Sequence, residues 1–161
     1  MSIATFTILH VVISLVAIAS GLIVVFEMFR ARPAQGWTAL FLLATILTSV
    51  TGFMFPIHGF TPGLGTGAVS LLLLAAALAG LYVFRLTGAW RTIYIICATA
   101  ALYFNVLVLI VQAFQKVPSL QALAPTQSEP PFLIAQTAAL VIFIVFGILA
   151  VKKFHPSQKA Y

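Results

Sequence analysis

The sequence predicts an all-α fold, an integral membrane bundle of five transmembrane helices with its N-terminus outside and its C-terminus cytoplasmic. Three observations carry this. Of 161 residues, 63% are hydrophobic and only 6% charged, with mean hydropathy +1.19. A soluble domain carries about a quarter charged residues, so these few charges cannot coat a soluble fold. The apolar residues fall into five segments, each near the ~20 residues needed to cross ~30 Å of hydrocarbon. The basic residues between them fall almost entirely on one side.

The segments run over Ile3–Met28, Trp37–Phe55, Gly67–Phe84, Thr92–Gln115 and Phe132–Val151. Each must be helical, because in lipid every backbone N–H and C=O needs a partner within the segment. Arg30-Ala-Arg-Pro33 ends the first, and Phe55-Pro56 ends the second. The stretch Arg85–Arg91 separates the third from the fourth, and the Pro-rich run Lys116–Pro131 precedes the fifth. Together they form one transmembrane domain, residues 1–161.

Alternating the connections places Arg30, Arg32, Arg85, Arg91, Lys152, Lys153 and Lys159 on one side and Lys116 alone on the other. This asymmetry marks the first side as cytoplasmic and requires an odd number of spans. No basic residue precedes the first segment, whereas Arg30 and Arg32 follow it. A signal peptide has the opposite order, so the first helix is expected to be retained. Trp37 and Trp90 both fall at the expected cytoplasmic interface.

Composition also excludes functions. There is no Asp, and Glu27 and Glu129 are the only acids. No pair of carboxylates is available for acid–base work within one site. The net charge of +6 comes from single or paired cations beside apolar segments, which read as topology signals and not as a nucleic-acid surface. Cys97 is the single cysteine and cannot form an internal disulfide.

Polar side chains within spans are candidate functional groups. His10 lies about two turns into the first helix. Asn105 and Gln112, seven residues apart, share one face of the fourth. Gln136 lies early in the fifth, and His58 follows the second. All five lie toward the outer side, where they would build an outward-opening ligand pocket if they face the bundle interior. The alternative is interhelical hydrogen bonding that only fixes packing. His10 is expected to meet His58 or a polar group of the last two spans. Two imidazoles also suit the axial positions of haem iron, so haem b held by His10 and His58 stands beside the reading of both as hydrogen-bonded residues.

The glycines of the segment from Phe55 to Gly67 do not form a dinucleotide fingerprint, since no strand precedes them. The loop after Lys116 spaces Val117, Leu120 and Leu123 for a short interfacial helix, a lid or a plain connector. Thr126 to Glu129 has capping-box spacing for the last helix. Ala76 and Gly80 give the third span a small-residue face for close helix approach. Glu27 and Arg30 are spaced as an ion pair.

Thr51-Gly-Phe-Met-Phe-Pro, Ala101-Leu-Tyr-Phe-Asn105 and Gln127-Ser-Glu-Pro-Pro-Phe132 together resemble a family of small bacterial inner-membrane proteins. The resemblance covers most of the chain from the second span onward. It implies a bacterial, multi-pass inner-membrane location and transfers no activity. The translocator family has a similar span count, but its Trp-rich first loop and Trp-Pro-Pro pattern are missing here. Three functional classes follow. The first is binding or transport of a small amphipathic ligand through His10, His58, Asn105, Gln112 and Gln136. The second is a redox subunit holding haem b or contacting quinone. The third is an accessory subunit of a larger membrane complex or homo-oligomer.

Overall fold

Ser2 starts the first helix, its side chain accepting the Thr5 N–H at 3.2 Å. In the computed structural model, which describes residues 2–56 and 62–156, helix α1 then runs over Ile3–Phe29 and α2 over Gln35–Phe53. Helix α3, Pro62–Leu78, passes into a π-helical turn at Ala79–Val83. It is followed by α4 (Ala89–Lys116), the short α5 (Pro118–Leu123) and α6 (Pro130–Lys153). Five helices are long and apolar enough to cross a membrane, and no strand occurs among the described residues. The chain is a multi-pass integral membrane protein.

The element boundaries differ from the sequence reading where local chemistry shifts them. Helix α3 is already helical at Pro62 instead of starting at Gly67; a Cβ at Gly67 would sit 3.3 Å from the Phe53 ring, so its bare backbone lets α3 lie close to α2. Helix α6 begins at Pro130, with Glu129 and not Thr126 as its N-cap. Only half of the capping box forms: Glu129 Oε1 accepts the Thr126 N–H at 3.0 Å and the Thr126 hydroxyl at 2.8 Å. Prolines at the first two helical positions need no N–H partner and set the start.

Helix α4 is the hub. It packs against α1, α2, α3, α5 and α6, while α6, α1, α2 and α3 follow one another around it. Helices α3 and α6 are therefore the two ends of an arc, and the side of α4 between them faces outward.

The tightest packing lies toward the end that carries Arg30, Arg85, Arg91 and Lys152, here the basic end. In α1 the buried residues are Ala17, Ile18, Ser20, Gly21, Val24, Val25 and Met28, all in the half nearer that end. Small side chains cause this. A Cβ on Gly21 would lie 2.6 Å from Leu102 and 2.8 Å from Phe41, so only glycine lets α1 approach α4 and α2 this closely. Gly80 plays the same part within the chain, a Cβ there falling 3.1 Å from the Trp90 carbonyl and 3.3 Å from Tyr94. Beyond the π turn, Arg85 and Leu86 take positive φ and end the helix, and Phe84 stacks on Trp90 at 3.9 Å. The Glu27–Arg30 ion pair forms at 2.8 Å.

Candidate functional site

Three of the polar groups within the spans, His10, Asn105 and Gln136, are tied across three different helix seams. Between α1 and α2, His10 Nδ1 lies 2.7 Å from Thr51 Oγ1. The Thr51 hydroxyl also donates to Leu47 O at 2.7 Å. With its proton committed there, the consistent tautomer has His10 Nδ1–H donating and Nε2 carrying the lone pair. Phe55 packs edge-on against the imidazole at 5.2 Å and 88°. Ser14, one turn along, donates to the His10 backbone carbonyl instead of the ring. The polar group that His10 meets thus comes from the second span, not from the last two. His58 lies outside the described residues, as does Lys159.

Between α2 and α4, Asn105 Nδ2 donates to Thr45 Oγ1 at 3.1 Å. Both residues are buried. Between α4 and α6, Gln136 Nε2 donates to the Leu107 carbonyl at 3.3 Å, while its Oε1 is buried without a partner. Gln112 is exposed. It shares a face with Asn105, but the neighbouring helices cover that face only as far as Asn105. Of the five sequence-designated residues, three are placed on separate seams, one points outward and one is undescribed. No group of three or more metal-ligating side chains occurs among the described residues.

The loop between α5 and α6 is built onto α4. Gln127, at φ 59°, donates from Nε2 to the Val111 carbonyl at 2.9 Å and accepts from Gln115 at 3.3 Å. Glu129 is nearby. Desolvation pushes its carboxyl up, but hydrogen bonds from the Thr126 hydroxyl and N–H and from the Ser128 N–H outweigh this and hold it below its ordinary value.

The concave features of the described residues are elsewhere. A groove of about 460 Å³ runs along the outward seam between α4 and α6. Thr92 and Lys152 line it at the basic end, Ile96, Ala100, Ile144 and Ile148 along its length, and Tyr103 and Leu140 at the deep end. Gly147 forms part of its floor; a Cβ there would reach Thr99 only at 3.9 Å, so the missing side chain is space and not a forced contact. The seam is bound shut below by Arg91, whose guanidinium donates to the carbonyls of Val151 at 3.0 Å and Phe154 at 2.6 Å. Sequence reasoning passed over Tyr103 and Lys152. The signal for Tyr103 was a phenol at mid-span, which needs a polar partner as surely as an amide does; for Lys152, the topology role absorbed it.

No protein-family model, curated protein or solved structure matches this chain.

Proposed function

We propose that this protein binds a small amphipathic ligand from the bilayer, and that the ligand lies in the groove between α4 and α6. The observation that carries the reading is the contrast between a closed interior and an open seam. His10, Asn105 and Gln136 each have a partner on a neighbouring helix, whereas the α4–α6 groove is lined mostly by apolar side chains, opens on the outside of the bundle and carries Thr92 and Lys152 at one end and Tyr103 at the other. A concave apolar site of ~300–1,000 Å³ with few polar groups is what small-ligand sites look like. Lateral access suits a ligand already dissolved in the membrane. The host is expected to be a bacterial inner membrane, with the basic end cytoplasmic by the charge asymmetry.

The experiment is mass analysis of lipophilic compounds retained by the purified full chain. Gly147→Leu and, from the opposite wall, Ile96→Trp should each strip a compound that the unmodified protein retains. Retention unaffected by both substitutions rejects the groove as the site. Reporter fusions after Tyr161 and within the loop from Lys116 to Pro131 test the orientation. An outside signal from the C-terminal fusion rejects it.

A further inference from the structure

Resting on that groove, we infer that its ligand is a single-chain amphiphile with an anionic head, seated with the head on Lys152 and the chain running toward Tyr103. Charge accounting leads there. The chain has two acidic residues. Glu27 is bonded to Arg30 at 2.8 Å, and Glu129 lies at the opposite end of the bundle, hydrogen-bonded within its own loop. Lys152, in the groove wall, has no carboxylate partner among the described residues. A lysine at a helix end commonly lays its aliphatic stem along apolar surface while its ammonium reaches the interface. An anionic head supplies the missing counter-charge.

Length and width set the rest. From Lys152 to Leu140 along α6 is about 18 Å at ~1.5 Å per residue, close to half the ~30 Å hydrocarbon thickness. A ligand with its head at the basic interface therefore extends its chain to mid-bilayer, where Tyr103 stands. The groove follows a single seam, so it takes one chain lengthwise. Arg91 holds the carbonyls on either side of Lys152, those of Val151 and Phe154, which fixes the turn that presents the cation. The neighbouring Lys153 does not line the groove and serves as an internal control.

The test uses the full chain in nanodiscs of phosphatidylcholine, with hexadecanoic acid, hexadecanol and phosphatidylglycerol as probes. Hexadecanoate is expected to bind up to about fivefold more tightly than the alcohol, the most that one interfacial ion pair supplies. Lys152→Gln should bring the acid down to the alcohol's level, and Lys153→Gln should leave it unchanged. Equal binding of acid and alcohol, or indifference to Lys152→Gln, overturns the anionic assignment. Phosphatidylglycerol competing as well as hexadecanoate overturns the single-chain assignment. In either case, loss of the probe on Gly147→Leu or Ile96→Trp leaves the groove itself standing. Indifference of every probe to both groove substitutions overturns the groove and the inference together.

Discussion

Arg91, near the start of α4, caps the far end of α6 by donating to the Phe154 carbonyl at 2.6 Å. The last carbonyls of a helix have no intrahelical donor, and here a side chain from another helix supplies one. Read as a sequence, Arg91 is a topology signal; in the fold it is also a clamp between two helices. Arg91→Ala removes two charge-assisted bonds from a partly buried site. Hydrogen bonds to charged groups contribute about 1.5–3 kcal/mol, so the variant should lose stability of that order in detergent. Both bonds leave the same nitrogen, Nη1, so Arg91→Lys should recover only part of it, because the lysine ammonium ends one bond short of that position. Thermal unfolding checks both variants, and an unshifted Arg91→Ala would show that the clamp contributes nothing.

Gly21→Ala is expected to destabilise by about 1–3 kcal/mol, the usual cost of overpacking. A Cβ there would fall 2.6 Å from Leu102 and 2.8 Å from Phe41, and both side chains are fully buried, so neither can swing aside. Gly36→Ala is the control, because nothing lies within 4 Å of a Cβ there. Chemical unfolding of the two variants side by side reads the difference.

The spans were legible because hydrophobic length and backbone satisfaction in lipid leave almost no freedom. Five apolar segments give five helices, with ends displaced by a few residues at Pro62, Ala89 and Pro130. The Glu27–Arg30 pair and the short helix after Lys116 were legible for a related reason, since both depend on spacing within one element. Helix arrangement was not legible. That α4 is the hub, and that its face is covered at Asn105 and bare at Gln112, depends on contacts between segments distant in sequence. Threonines hid for another reason. Thr45 and Thr51 read as ordinary span residues, yet they are the partners of Asn105 and His10. The orphan Oε1 of Gln136 belongs to the same class of fact, visible only once the α4–α6 seam is assembled.

Asn105 and Gln112 therefore should respond differently to leucine. Asn105→Leu removes a buried partner of Thr45 and should cost about 1–2 kcal/mol, the range of polar contacts between membrane helices. Gln112→Leu places an apolar side chain on an exposed position and should be neutral within about 0.5 kcal/mol. Equal losses in a detergent melt would mean that the face is covered along its whole length.

Glu129 makes the loop between α5 and α6 sensitive to acid. Its carboxyl is held below the ordinary value by bonds that need the ionised form, so folding stabilises the loop above the ordinary carboxylate range. That contribution disappears as pH falls through the lowered native value, because protonated Glu129 is a weaker acceptor for Thr126 and Ser128. Protection of the Thr126 and Ser128 amides, measured against the intrinsic exchange rate at each pH, should fall on acidification below about pH 4 and be insensitive to pH in Glu129→Gln. Identical pH profiles for the two proteins would remove Glu129 as the anchor.

His10 and Thr51 offer the sharpest test of whether the α1–α2 seam is packing alone. The 2.7 Å contact sits beside Phe55, whose ring meets the imidazole edge-on, and the Thr51 hydroxyl is already bonded to Leu47 O. If the pair only fixes packing, His10→Ala and Thr51→Val should share a coupling energy of about 0.6–1.7 kcal/mol in a double-mutant cycle. Neither substitution should then alter a visible spectrum or ligand retention. Haem at His10 requires something different: Nε2, the nitrogen left by the Thr51 bond, would face the iron, with Thr51 orienting the ring from behind as partners of metal-bound imidazoles do. The purified protein would then carry an intense Soret band, abolished by His10→Ala and shifted by Thr51→Val. A coupling energy in that range without such a band assigns His10 to the seam, and a band lost with His10 assigns it to a cofactor.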